Sequence, residues 1–165
     1  MKVLNKVVIG MASLALLAAC GPSKVSYEKF HEKAVEAAKL ESGYTSAVLN
    51  GKMKSTDDGK SVEFEFKDFK IENMTNGRID ITKLSLSDLA KLSEQMIFAI
   101  GLVSFEAVEI ENDKDVTYYA GDTFKVTGKT KEGEGTYEFD KFGLVTSMKV
   151  KGEVTNGNLT VKWAK

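Results

Sequence analysis

The sequence predicts an α+β fold in which two helices cover a curved antiparallel sheet of about eight strands. Three observations support this fold class. An early segment carries apolar residues at helical spacing, a later segment forms a second and more apolar helix, and most of the remaining chain alternates apolar and polar residues between short turns. Such alternation is typical of an antiparallel sheet with one face in water.

The first helix is predicted over residues 27–42. Ser26 suits the cap at its start, and Gly43 suits its end. The apolar residues at helical spacing are Tyr27, Phe30, Ala34, Ala37 and Ala38. The only histidine, His31, lies on this helix. No motif supplies partners for catalysis or metal binding, so we expect His31 to be exposed or partly exposed at the surface.

From residue 44 the apolar period changes to two. Alternating positions on both sides of residues 55–59 predict a hairpin with its turn there. Phe69 is out of phase with Phe66, and this slip predicts a β-bulge near Asp68. A tight turn is predicted at Asn76-Gly77, with Ile79 and Ile81 continuing the alternation beyond it.

A second helix is predicted to begin after Ser85 or Ser87, with Leu89 and Leu92 on its apolar face. Its second half, residues 96–103, is apolar on every side, which a helix packed by one face does not need. Two interpretations remain open. The segment is either fully buried in the core, or it lines or covers a place where an apolar ligand binds.

Beyond residue 105 the alternation predicts strand after strand. The strand signals are Val108 and Ile110, Val116–Ala120, Phe124 and Val126, Tyr137 and Phe139, then Leu144, Met148, Val150 and Val154, and finally Leu159, Val161 and Trp163. The predicted turns are 112–115, 121–122, 133–135, 141–143 and 156–157.

Three glycines, Gly51, Gly128 and Gly152, occupy the apolar phase of their strands. Glycines inside strands mark bends or close approaches of another group. One interpretation is that the sheet curls at these positions and encloses an apolar cavity beneath the helices. The other is that each glycine relieves crowding against a helix.

The first 21 residues carry an export signal. Lys2 and Lys6 precede an apolar run over residues 7–17, which has the length of a secretory signal and is too short to span a bilayer. The run ends in Leu17-Ala18-Ala19-Cys20-Gly21, which resembles the lipobox of bacterial lipoproteins. The resemblance implies that Cys20 receives a diacylglycerol, that the chain is cut before Cys20, and that a fatty acid such as palmitate is added to the new amino terminus.

The signal also predicts the domain organisation and the location. Residues 1–19 are the signal peptide, residues 20–25 the lipidated cysteine with a short tether, and residues 26–165 a single α+β domain. Gly21 in place of aspartate favours, by the same resemblance, the outer membrane of a two-membrane bacterium. In a single-membrane organism the protein would lie on the outer face of the plasma membrane.

Charge and residue usage argue against several functions. Removal of Lys2 and Lys6 changes the formal net charge from −1 to −3, and no basic stripe suits nucleic acid. Glu109, Glu111, Asp113 and Asp115 lack the glycine of an EF-hand loop, since Lys114 stands at its position. With one histidine and no spare thiol, zinc is not expected either. We therefore expect no metal, no cofactor and no enzymatic activity.

The order of elements, and a stretch over residues 136–150 in which Asp140-Lys141-Phe142-Gly143-Leu144 joins two alternating strands, resemble the LolA and LppX/LprG half-barrel lipid carriers of bacterial envelopes. The resemblance implies a lipid or other apolar ligand held between the concave sheet and the helices. The implied lining residues are Leu49, Met53, Phe64, Phe66, Met96, Ile97, Ile100, Phe124, Met148 and Trp163. The alternative is a surface or structural lipoprotein that acts through protein contacts and has no ligand cavity.

Overall fold

The computed structural model describes residues 21–79, 92–130 and 133–165. It contains one eight-stranded antiparallel sheet and two α-helices in this part of the chain, which confirms the predicted fold class. The helices are α1 (Tyr27–Ala38) and α2 (Glu94–Val103). The strands are β1 (Ser23–Val25), β2 (Ser46–Asp57), β3 (Lys60–Ile71), β4 (Val116–Ala120), β5 (Phe124–Thr130), β6 (Gly133–Phe139), β7 (Val145–Lys151) and β8 (Thr155–Ala164).

The strands lie in the order β1-β4-β5-β6-β7-β8-β2-β3. Strands β4 to β8 form a meander in which each strand pairs with the next along the chain. Strand β2 then pairs with β8, with Ser46 opposite Ala164, and this places the β2–β3 hairpin at one end of the sheet. Strand β1 pairs with β4 at the other end. The sheet is therefore open, with β1 and β3 as its edges.

Helix α1 packs on the apolar face of the sheet through Phe30, which is fully buried. The Phe30 ring lies 5.4 Å from the ring of Tyr118 and 5.8 Å from that of Phe124. As predicted, the Ser26 side chain caps the start of the helix by accepting a hydrogen bond from the Lys29 N–H. Aromatic rings buried at these spacings add to the stability gained from area burial alone.

The helix ends at Ala38, earlier than the predicted residue 42, and beyond it Ser42 and Gly43 have hydrogen-bond partners outside the helix. The Ser42 side chain accepts a hydrogen bond from the Tyr44 N–H. The Gly43 N–H donates to the Asn76 side chain, and Gly43 has a φ of +70°. The predicted turn at Asn76-Gly77 is present and helps to hold this connection.

The β2–β3 hairpin and its bulge are confirmed. The turn is formed by Asp58 and Gly59, which both have positive φ, as a tight two-residue hairpin turn requires. The register shifts where Asn50 faces residues 67–68 of β3. There the Asn50 side chain accepts a hydrogen bond of 2.9 Å from the Asp68 N–H. The backbone N–H at the bulge therefore has a hydrogen-bond partner.

Two predicted turns are wrong, because their residues lie inside strands. Residues 133–135 belong to β6, and residues 156–157 belong to β8. The turn between β7 and β8 lies at residues 152–154 instead, where the Gly152 N–H donates to the Thr155 carbonyl. Gly152 and Val154 consequently lie in this turn rather than within a strand.

The predicted strand at Val108 and Ile110 is also wrong. Residues Ala107–Glu109 form a single 3-10 turn, because Glu106 and Glu109 cap each other and the Ala107 N–H donates to the Gly143 carbonyl. Ile79 lies outside any strand, and Ile81 lies outside the described residues.

The predicted tether is shorter than residues 20–25, because β1 begins at Ser23. Ser23 pairs with Ala120 and Val25 with Tyr118. Gly21 and Pro22 alone separate the sheet from Cys20, which itself lies outside the described residues. Two residues therefore lie between the predicted lipidation site and the first strand of the sheet.

Candidate functional site

A groove lies between the tip of the β2–β3 hairpin and helix α2, with a volume of about 450 Å³. We call it the apolar groove, and its lining residues are Ser55, Asp57, Lys60, Val62, Phe64, Glu94, Ile97 and Phe98. The five hairpin residues share one face, because Ser55 pairs with Val62 and Asp57 with Lys60. This is the face that carries the buried core residues Met53 and Phe66. The apolar groove thus continues the core face outward to solvent.

Helix α2 forms one wall of the apolar groove. The Ser93 side chain caps its start by accepting a hydrogen bond from the Met96 N–H. The Phe98 ring stacks on the Phe64 ring with centroids 4.6 Å apart, and the Gln95 side chain donates to the Glu65 carbonyl on the edge strand. These contacts attach the helix to β3 at the open edge of the sheet.

The predicted start of this helix at Ser85 or Ser87, together with Leu89, lies outside the described residues, but Leu92 and Ser93 are not helical. The first interpretation of residues 96–103, that the segment is fully buried in the core, is wrong. Ala99 and Val103 are buried, whereas Ile97 is 56% exposed and sits in the apolar groove. This segment therefore lines a concavity at the surface through Ile97.

The ten predicted lining residues fall into two environments. Phe64 and Ile97 line the apolar groove. The central residues are at most 3% exposed and pack in one core cluster; they are Leu49, Met53, Phe66, Phe124 and Met148. Met96 and Trp163 are partly buried against that cluster, and Ile100 is half-buried. The structure therefore brings two of the ten together at a groove and places the central ones in a packed interior.

Gly51 and Gly128 lie against the main chain of a neighbouring strand. Gly51 and Gly128 have φ of +144° and +149°, which other residues rarely adopt. A Cβ at Gly51 would lie 2.2 Å from the Asn158 carbonyl oxygen, and one at Gly128 would lie 2.3 Å from that of Asp115. The two glycines therefore relieve crowding against the neighbouring strand. The interpretation that they relieve crowding against a helix is wrong.

Sequence reasoning missed an ion pair that holds the chain in place just after the end of α2. Arg78 binds Glu106 through two hydrogen bonds, with Nε 2.6 Å from Oε1 and Nη2 2.7 Å from Oε2. Arg78 also donates to the Ala38 carbonyl at the end of α1. The hydrogen bonds to Glu106 raise the pKa of Arg78. Because the partners are far apart in sequence, no local pattern signalled this pair.

His31 is half-buried and stacks on Tyr27, with ring centroids 5.6 Å apart. In the predicted acidic stretch, the Asp113 side chain accepts a hydrogen bond from the Asp115 N–H and Glu109 takes part in the 3-10 turn. In the described ranges no three acidic, histidine or cysteine side chains are arranged to hold a metal ion. The same ranges contain no helix with the length and hydropathy needed to span a membrane.

The Asp140-Lys141-Phe142-Gly143-Leu144 turn is held by a carboxylate. Asp140 Oδ1 accepts hydrogen bonds of 2.9 Å from the Phe142 N–H and 3.0 Å from the Leu144 N–H. Its other oxygen, Oδ2, is buried. Burial raises the pKa of Asp140 above its usual value of 3.8. Burial likewise raises the pKa of Tyr44, and the charge of Asp140 adds to that effect.

Two substitutions at Asp140 are expected to separate its hydrogen bonds from its charge. Asp140→Ala removes both accepted bonds and should lower the free energy of unfolding by about 1–3 kcal/mol. Asp140→Asn keeps Oδ1 and removes the charge. Since the folded wild type binds this proton more tightly than the unfolded chain, the contribution of Asp140 to its stability falls as the pH rises from 3.8 through the raised pKa. Urea unfolding between pH 3.5 and about 7 should show Asp140→Asn gaining on the wild type over this interval. A constant difference would contradict this.

Comparison with known proteins leaves the site to be judged by its geometry. No protein-family model, curated protein or solved structure matches the chain. The resemblance to the LolA and LppX/LprG carriers therefore rests on the element order and on the turn at Asp140.

Proposed function

We propose that the chain is a lipoprotein of the bacterial cell envelope, anchored by acyl groups on Cys20, that binds a lipid or another apolar ligand in the apolar groove. The anchor is supported by the charged, apolar and small-residue segments before Cys20. Two or more acyl chains hold a protein in a bilayer far better than one chain does. The outer membrane is the proposed location in a two-membrane organism.

The exposure of apolar side chains inside the groove carries the proposal. Val62 is 45% exposed and Ile97 is 56% exposed, and the stacked rings of Phe64 and Phe98 lie between β3 and α2. Covering such surface is favourable by roughly 25 cal/mol per Å² of apolar area. The groove volume of about 450 Å³ lies in the range of small-molecule sites, roughly 300–1,000 Å³. A ligand with an apolar body fits this lining.

The rim of the groove supplies polar contacts for one end of such a ligand. Asp57 and Lys60 lie at the hairpin tip, and Glu94 lies in the first turn of α2. The groove is built on β3, at the edge of the sheet opposite β1, which follows the anchor. Anchoring and ligand binding therefore use different parts of the domain.

Ile97→Asp is expected to weaken binding of palmitate by about tenfold or more, because it places a charge in the apolar groove. The measurement is native mass spectrometry and palmitate titration of a form that starts at Gly21, purified from bacteria without detergent. Leu40→Asp is the matched control, since Leu40 is 55% exposed and lies outside the groove. Equal affinities for the two variants, or a wild type without any adduct, would contradict binding in the groove.

The lipid anchor is tested by the mass of the full chain made in bacteria. We expect a chain that begins at Cys20 and carries acyl groups.

A second function is favoured by the packed centre of the domain. Leu49 and Met53 are at most 1% exposed, and the core cluster extends across the sheet from there. A lipoprotein that acts through protein contacts needs no cavity and would use the same exposed apolar residues at its surface. A protein that stays free of palmitate and phospholipid in the experiment above would support this alternative.

A further inference from the structure

A second concavity, which we call the polar cleft, crosses strands β5 to β8 and has a volume of about 620 Å³. The side chains that supply its polar groups include Thr127, Thr136, Lys149, Lys151, Asn156 and Asn158. Lys149 and Lys151 are exposed on either side of Val150, which is buried in the core. Because side chains alternate along a strand, the polar cleft lies on the face of the sheet opposite the core.

The floor of the polar cleft is main chain. Gly128 pairs with Gly135, Gly135 with Val150, and Val150 with Gly157, so three glycines share one row across four strands. Gly157 has a φ of +146°, and a Cβ there would lie 2.1 Å from the Lys52 carbonyl oxygen. Glycine at such positions allows neighbouring strands to approach and bend. Backbone geometry therefore helps to shape this concavity.

The polar groups in the cleft are suited to a hydroxyl-rich ligand. The hydroxyl oxygens of Thr127 and Thr136 lie 3.1 Å apart, and both residues are half-buried. Asn156 and Asn158 add amides, which donate and accept hydrogen bonds as sugar hydroxyls do. The lining carries no aromatic or exposed apolar side chain. An apolar ligand would gain little here.

The described residues that line the cleft do not have balanced charges. Lys149 and Lys151 contribute two cations, and Glu134 contributes one carboxylate. None of these three residues forms an ion pair with another residue in the described ranges. An ammonium group binds carboxylate or phosphate more strongly than it binds a neutral acceptor. One excess cation beside a hydrogen-bonding floor matches a ligand with a single anionic group.

We propose that the polar cleft binds a small anionic sugar, a hydroxyl-rich ring that carries one carboxylate or one phosphate. The lysines bind the anionic group, and the threonine hydroxyls and asparagine amides bind the ring hydroxyls. The site is separate from the apolar groove, which lies on the other face of the sheet, so this inference does not depend on the proposed function.

The test is a titration followed by amide chemical shifts and calorimetry on the purified protein. The probes are a disaccharide that contains glucuronate, glucose 1-phosphate, the neutral disaccharide cellobiose, and inorganic phosphate. At least one anionic sugar is expected to bind saturably and to shift the amides of residues 127, 149 and 158, and the two anionic probes distinguish carboxylate from phosphate. Cellobiose and inorganic phosphate are expected to bind more weakly.

Reversing one cation should weaken binding of the anionic sugar. Lys149→Glu is expected to lower the affinity by about tenfold or more, since it removes a charge-assisted contact. Lys162→Glu makes the same charge change at an exposed position of β8 outside the cleft and should leave the affinity unchanged. The proposal is overturned if neither anionic sugar binds, if cellobiose or phosphate binds as tightly, or if both variants lose affinity equally. Ile97→Asp should not alter sugar binding, which separates this result from that at the apolar groove.

Discussion

The substitution Gly157→Ala is expected to lower the free energy of unfolding by about 3–5 kcal/mol. Gly157 lies inside β8 with a φ of +146°, a conformation that side chains rarely adopt. The added Cβ would lie 2.1 Å from the carbonyl oxygen of Lys52 on β2. Because the atom it meets is main chain, the clash can be relieved only by moving the two strands apart. The substitution should therefore weaken the pairing that joins the β2–β3 hairpin to the rest of the sheet.

Urea unfolding of Gly157→Ala measures this loss, and Gly101→Ala provides its control. Gly101 lies in α2 with no atom within 4 Å of an added Cβ. Alanine is favoured over glycine in a helix by about 1 kcal/mol, so this variant should be as stable as the wild type or more stable. A loss below about 1 kcal/mol for Gly157→Ala, within the range of ordinary surface changes, would show that the strands can adjust to a side chain there.

Truncation of Phe30 to alanine is expected to lower the free energy of unfolding by about 3–5 kcal/mol. Phe30 is fully buried and is the residue through which α1 meets the rings of Tyr118 and Phe124. Its removal leaves a cavity between the helix and β4 and β5. We expect the loss to include much of the attachment of α1 to the sheet.

The loss at Phe30 is measured by the denaturant midpoint together with near-ultraviolet circular dichroism, which reports the packing of the aromatic side chains, Tyr118 among them. Leu40→Ala removes an apolar side chain just beyond the same helix, where the residue is 55% exposed, and should change stability by less than about 0.5 kcal/mol. Equal midpoints for the two variants would show that α1 is held by other contacts.

Local patterns predicted the elements whose causes are local. The β2–β3 hairpin followed from alternation, and its bulge followed from the phase slip between Phe66 and Phe69. The turn at Asp140 followed from its short motif, because the side chain that holds it belongs to the turn itself. In each case the deciding interaction lies within a few residues, or within one hairpin.

The elements that sequence reasoning missed depend on distant partners. Strand β1 exists because β4 pairs with it about a hundred residues later, for instance Ser23 with Ala120. Asn156-Gly157 has the composition of a turn, but its pairing with β2 keeps it extended within β8. The 3-10 turn at Ala107–Glu109 is held partly by the Gly143 carbonyl. No periodicity in a single segment carries these contacts.

The same limit applies to the sites. Alternation identifies the residues that face inward, but it does not distinguish a packed core from a cavity. The lining implied by the resemblance therefore contained both the buried Leu49 and Phe66 and the groove residue Phe64. Ile97 was found because α2 is more apolar than a one-sided helix requires. The polar cleft could not be found, because its glycines come into one row only when the register of four strands is known.

The sheet order also places two contacting segments far apart in sequence, which bears on folding. The meander β4–β8 can form from neighbouring strands, but the β2–β3 hairpin joins the sheet only by pairing with β8, since Ser46 lies opposite Ala164. Contacts between segments so far apart in sequence slow folding, because a long loop must close before they form. Until the hairpin joins the sheet, Leu49 and Met53 are not covered as they are in the folded domain, and apolar surface exposed in this way makes a folding chain prone to incorrect association.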